Sequence, residues 1–170
     1  RVLFRSHLIS LNTVLKKMKV KNITEEKKKE LVFHWHKLEP WKDSSKYLKL
    51  LGRKYVTSSL SNGNISLQKN LFEYANLDFN FILSAENFKK YKPDPLVYLG
   101  AASILGFKPN DCTLVASHKS DLQAADKVGY NTIYIRRPNE YGIYSNKFKE
   151  NTFTPNLSIN SLEDLLTKHF

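Results

Sequence analysis

The sequence predicts an α/β protein, a three-layer fold with a parallel sheet between helices, preceded by a helical subdomain. Three observations predict it. From Trp41 onward, short apolar or β-branched runs alternate with stretches of helical spacing, and right-handed crossovers turn that pattern into parallel strands. Before Pro40, two helical stretches follow one another with no strand between them. Within residues 113–126 an apolar run stops at the polar tip Ser117-His118-Lys119-Ser120-Asp121 and gives way to a helix. Open α/β sheets bind their ligands at such strand ends.

Taken in order, residues 1–6 (RVLFRS) suggest no element. They back-translate into the end of a common sequencing adapter, so they are expected to be a non-native scar and are set aside. Residues 7–20 carry Leu8, Leu11, Val14, Leu15 and Met18 at helical spacing. Thr24 reads as the N-cap of a second helix, with Glu25 and Glu26 in its first turn and Lys27 third. That helix is expected to reach about Lys37 on an apolar side of Leu31, Phe33, His34, Trp35 and Leu38, and Pro40 stops it. Residues 7–40 form the helical subdomain and residues 41–170 the α/β core.

In the core, the pattern predicts a helix over 44–54, a strand over 55–60 and a helix over 65–74. A strand over 79–83, a helix over 96–105 and a strand over 113–116 follow. A helix over 122–128 closed by Gly129, a strand over 131–135, an edge strand over 157–159 and a helix from Ser161 complete it. The polar tips at Ser61-Asn62-Gly63, Lys92 and Ser117–Asp121 then converge on one sheet edge.

Composition narrows the function classes. No run approaches the roughly 20 apolar residues of a membrane helix, and the start lacks a signal-peptide pattern. The single cysteine, Cys112, excludes an internal disulfide and fits a reducing cytoplasm. The net charge of +11 comes from scattered lysines and the solvated run Lys27-Lys28-Lys29, flanked by Glu25, Glu26 and Glu30. Without an arginine-aromatic platform, this points to a lysine-rich surface rather than to nucleic acid or a membrane.

Three motifs carry a resemblance. LSNGN at 60–64, YKPDPLVY at 91–98 and VASHKSDLQAA at 115–125 resemble motifs two, three and four of the haloacid dehalogenase superfamily. With Arg136-Arg137-Pro138 after the next strand and the junction HWHKLEPWKD at 34–43, the chain is similar to the type II (L-2-haloacid) branch. The resemblance implies a Rossmann-like core behind a helical cap, of which 7–40 is the remnant. It also implies hydrolysis of 2-haloacids by an aspartate nucleophile, through an ester that water cleaves. Ser61 then matches the serine that binds the substrate carboxylate, and Asn62 the residue whose N–H helps hold the leaving halide. Lys92 matches the lysine beside the nucleophile, Asp121 its acidic partner, and Tyr98 an aromatic that lines the pocket. His118 stands where relatives carry Asn or His. A homodimer is left open.

Each residue type also has an ordinary use. Ser-Asn-Gly is common turn chemistry, a lysine before proline is usually solvated, and an acid in a first helical turn suits the dipole. Two departures matter. Superfamily phosphatases carry a Mg²⁺-binding aspartate where this chain has Ala116, and a hard divalent ion needs oxygen ligands. No metal or other cofactor is therefore expected, and a phosphatase or a non-catalytic binding protein ranks behind a dehalogenase. No DxDxT or DxYGT occurs. The nucleophile and the first core strand are thus expected to lie outside this chain. That strand would belong between 55–60 and 113–116, leaving two inner edges unpaired and the fragment inactive.

Overall fold

In a computed structural model, the structure describes residues 2–138, 140, 142 and 152–167. The chain opens with α1 (Val2–Lys17) and α2 (Glu25–Phe33). Helix α1 begins earlier than the periodicity predicts, taking in residues 2–6, and the Phe4 ring packs on Phe33 at 5.2 Å. Thr24 caps α2 as expected, accepting from the Lys27 N–H at 3.2 Å. The helix stops sooner than expected because His34–His36 tightens into a 3-10 turn. That turn breaks the predicted apolar stripe: Val32 is the residue buried, while Phe33, Trp35 and Leu38 stay exposed.

The core follows as α3 (Ser44–Leu51), β1 (Ser58–Ser61), α4 (Ile65–Tyr74), β2 (Phe81–Ser84), α5 (Ala85–Phe88) and α6 (Pro95–Leu105). After these come β3 (Thr113–Ala116), α7 (Lys119–Asp126), β4 (Asn131–Ile135), β5 (Leu157–Ile159) and α8 (Asp164–Thr167). The short helix α5 falls in a stretch that the periodicity leaves as loop. It forms because Ser84 and Asn87 make a reciprocal capping box. Strand β1 starts later than predicted, leaving Tyr55 and Val56 exposed before it. At its entry the Thr57 N–H donates to Asn80 Oδ1 at 2.8 Å, and the Asn80 N–H returns a bond to Thr57 Oγ1 at 3.3 Å. Thr132 and Asn156 repeat this exchange at the entry to β4 and β5.

Among the described residues all pairing is parallel, but the strands form two groups, β1-β2 and β3-β4-β5. Among the described residues β1 and β3 share no ladder, so each has an unpaired inner edge. Helices cover both faces of the larger group. Leu114 joins Tyr98, Ala102, Ala125 and Tyr130 under α6 and α7, whereas Val115 joins Ile133, Ile135 and Ile159 toward α8. Leu60 of β1 packs on the same Tyr98 cluster as Leu114, so α6 bridges the two groups from below. No helix among the described residues is long and apolar enough to cross a membrane.

The junction into the core is held by an ion pair between residues far apart in sequence. Both Arg137 guanidinium nitrogens reach the Asp43 carboxylate at 3.0 Å, and the Leu162 N–H donates to the same carboxylate at 2.8 Å. Trp41 lies against the guanidinium, 5.1 Å from ring centre to its carbon. Burial alone would raise the Asp43 pKa, but the Arg137 bonds and the Leu162 amide outweigh it and hold the carboxyl below its usual 3.8. A native pKa below the unfolded value contributes stability in full above pH 3.8, and this is lost as pH falls through the lower native value. Replacing Asp43 with alanine strands a mostly buried cation and is expected to cost about 3–5 kcal/mol in urea unfolding of the full-length protein. The variant should also lose part of the acid-induced drop in stability. A cost below about 1 kcal/mol would mark the pair as no better than a surface one.

Candidate active site

The predicted tips do converge at the carboxyl ends of β1 and β3. After β1, the turn Ser61-Asn62-Gly63 leads into Asn64, which caps α4 by accepting from the Leu67 N–H at 2.8 Å. Ser61 Oγ accepts from the Gly63 N–H at 3.0 Å, which leaves its own hydrogen available to donate outward. The Asn62 side chain grips the backbone of Lys92 from both sides. It accepts from the Lys92 N–H at 2.7 Å and donates to the Lys92 carbonyl at 3.1 Å. The turn after β1 and the loop before α6 are therefore one unit.

Held this way, Lys92 meets the helix after β3. Its ammonium lies 2.6 Å from Asp121 Oδ2, with both side chains about four-fifths buried. The Tyr98 hydroxyl donates to the other oxygen, Asp121 Oδ1, at 2.5 Å. Tyr98 has no exposed surface, so it reaches the site only through this hydroxyl. Burial, the bond to Asp121 and the carboxylate charge all raise its pKa, so it remains a donor across the working range. Its own carbonyl accepts from the Tyr130 hydroxyl at 2.7 Å, and the two rings meet edge to face. Asp121 lies in the first turn of α7, where the dipole favours an anion. Each of its oxygens already has a donor, and Lys92 keeps two further ammonium hydrogens with which to bond an anion. Ser61, Asn62 and Lys92 thus offer hydroxyl, amide and ammonium donors along one edge, a set suited to anions.

The other predicted residues lie nearby with different partners. His118 is half exposed at the start of α7, and its Nε2 lies 2.8 Å from Glu140. Ala116 ends β3 with no side-chain oxygen to offer. Among the described residues no group of three or more His, Cys, Asp or Glu could hold a metal. Cys112 sits before β3, and burial pushes its thiol pKa up, which suits a structural thiol. A cavity of about 890 Å³ runs along β4 and β5 past Lys119, Tyr134, Arg136 and Asn160, and none of the predicted site residues lines it. A smaller groove of about 280 Å³ lies between α1, α2 and α4, lined by Phe4, Phe33, His36, Asn64 and Leu67, next to the Ser61 turn.

A family model described as haloacid dehalogenase-like hydrolase matches residues 3–135. The chain belongs to this family. It is 34% identical over 148 residues to (S)-2-haloacid dehalogenase 4A of Burkholderia cepacia, covering 84% of this chain and 62% of that protein. It is 32% identical over 121 residues to (S)-2-haloacid dehalogenase 1 of Pseudomonas sp. (strain CBS-3), covering 69% of this chain and 53% of that one. The chain therefore spans little more than half the length of these relatives. A crystal structure of an L-2-haloacid dehalogenase superposes with a TM-score of 0.87 at 33% identity, covering 96% of this chain and 71% of that one. The fold of this dehalogenase-like hydrolase is thereby established.

Sequence reasoning overlooks three parts of this dehalogenase-like core: the Tyr98–Asp121 bond, the Arg137–Asp43 pair and a buried glutamine, Gln68. Only Gln68 had a local signal. It sits where the spacing of Ile65, Leu71 and Phe72 on α4 calls for an apolar residue.

Proposed function

We propose that the protein hydrolyses the carbon–halogen bond of short 2-haloalkanoic acids, giving 2-hydroxy acids. The observation that carries this reading is Lys92, fixed by Asn62 and paired with Asp121 on the edge that also presents Ser61. Ser61 binds the substrate carboxylate, and the Asn62 N–H helps hold the departing halide. The nucleophile is an aspartate on a strand seated between β1 and β3, in the part of the protein outside these 170 residues, so the chain alone is inactive. Its carboxylate displaces halide from the α-carbon and forms an ester. Water then attacks the ester carbonyl, releasing the 2-hydroxy acid and a proton and restoring the carboxylate. Lys92 offsets the negative charge gathered by nucleophile, substrate and halide. Asp121 and Tyr98 hold Lys92 in place, and His118 stands at the rim beside the substrate.

Catalysis without a metal is part of the proposal. Both Asp121 oxygens are engaged by Lys92 and Tyr98, and Ala116 supplies no carboxylate. The protein acts on a small carboxylate in the cytoplasm, with neither nucleic acid nor membrane as a partner. The test is chloride release from racemic 2-chloropropionate by the full-length protein in EDTA. Turnover is expected. No chloride, together with EDTA-sensitive cleavage of phosphate monoesters, would replace the reading with a phosphatase.

A further inference from the structure

We infer that Gln68 is a positioning residue that sets the turn aiming Ser61 and Asn62 at the substrate, and this rests on the anion-binding role proposed for Ser61. Gln68 is buried to 3% exposure on the face of α4 that meets the strands. A carboxamide there would be costly unless fully bonded, and it is bonded to three elements. Its Nε2 donates to the Gly63 carbonyl at 2.9 Å and to the Leu83 carbonyl at 3.2 Å. Its Oε1 accepts from the Ser59 hydroxyl at 2.7 Å. One amide thus joins β1, β2 and the turn that follows β1.

The Gly63 carbonyl is the point where this network meets the site. Its second bond comes from the hydroxyl of Ser84, a side chain with no exposure, at 2.8 Å. With two donors on one carbonyl, the peptide plane after Gly63 is fixed. The N–H of the same residue is the donor that Ser61 Oγ accepts. The chain of bonds therefore runs from Gln68 and Ser84 through Gly63 to Ser61, and it decides which way the Ser61 hydrogen points. The turn has little slack, since a Cβ on Gly63 would lie 3.3 Å from both Ser61 Oγ and Leu67 Cδ2. Leucine at position 68 would fill the space but remove the bonds to the Leu83 carbonyl and the Ser59 hydroxyl, and would leave the Gly63 carbonyl with the Ser84 bond and without the Gln68 one.

The test uses the full-length protein as Gln68→Leu, Ser84→Ala, the double variant, and Leu51→Ala as a buried control on α3. Because Ser61 binds the carboxylate in ground and transition state alike, Gln68→Leu is expected to raise KM for 2-chloropropionate about tenfold with kcat within about threefold. Effects of Gln68→Leu and Ser84→Ala should be non-additive, since both act on one acceptor. Leu51→Ala should lower stability and leave KM unchanged. Amide hydrogen exchange at Gly63, which needs no activity, should speed up about tenfold in Gln68→Leu relative to core amides. Unchanged Gly63 protection, or a KM no different from that of Leu51→Ala, would reduce Gln68 to a packing residue. If wild type releases no halide, the dehalogenase reading fails, and Gly63 exchange alone still decides the role of Gln68.

Discussion

Replacing Lys92 with methionine in the full-length protein is expected to lower chloride release from 2-chloropropionate by about 10²–10³-fold, mostly in kcat. The ammonium is the cation held at the carboxyl edge between the turn after β1 and the first turn of α7. Its effect grows as charge gathers on the departing halide, which is why kcat falls more than KM rises. The backbone should survive the change, because Asn62 grips Lys92 by its N–H and carbonyl and not by its side chain. Asp121 would keep the Tyr98 hydroxyl on one oxygen and a position in the first turn of α7. Circular dichroism and thermal unfolding identify a folded variant. A folded Lys92→Met protein with kcat within threefold of wild type would show that the Lys92–Asp121 pair serves the fold and not the chemistry.

The 170-residue chain expressed alone is expected to aggregate or to lack a cooperative unfolding transition. Among the described residues Ser58–Ser61 and Thr113–Ala116 are each paired on one side only, although Leu60 and Leu114 point into one shared core. Their inner N–H and C=O groups must find water or another strand, and each one buried without a partner costs about 1–3 kcal/mol. Several such groups rival the roughly 5–15 kcal/mol that holds a domain together. Two parallel edges are also a template for pairing with other chains. Size-exclusion chromatography with thermal unfolding checks this. A soluble monomer with a sharp transition would mean that the two strand groups are held well enough by α6 and its Tyr98 cluster.

Much of the fold was legible before the structure. The β-branched run at Asn131–Ile135 and the cap-plus-spacing pattern of Ile65–Tyr74 lie where the sequence places them, because element type follows from local periodicity and caps. Element ends were less legible. Helix α7 begins at Lys119, so Ser120 and Asp121 belong to the helix and not to a loose tip. Strand β1 begins at Ser58 because the Thr57–Asn80 exchange marks where pairing starts.

The candidate site divides the same way. Residue types and their order along the chain single out Ser61, Asn62, Lys92, Tyr98 and Asp121, since strand tips of a parallel sheet share one edge. Only the tertiary structure decides how they are held. Lys92 and Asp121 are 29 positions apart, Gln68 and Leu83 are 15, and Arg137 and Asp43 are 94. Bonds over such separations leave no periodic trace in the sequence, because they depend on where whole elements pack and not on the residues beside them. The sequence by itself determined which donors reach the edge and that the side chain of Ala116 offers no metal ligand. Packing alone decided that Asn62 would lock Lys92 and that Tyr98 would spend its hydroxyl on Asp121.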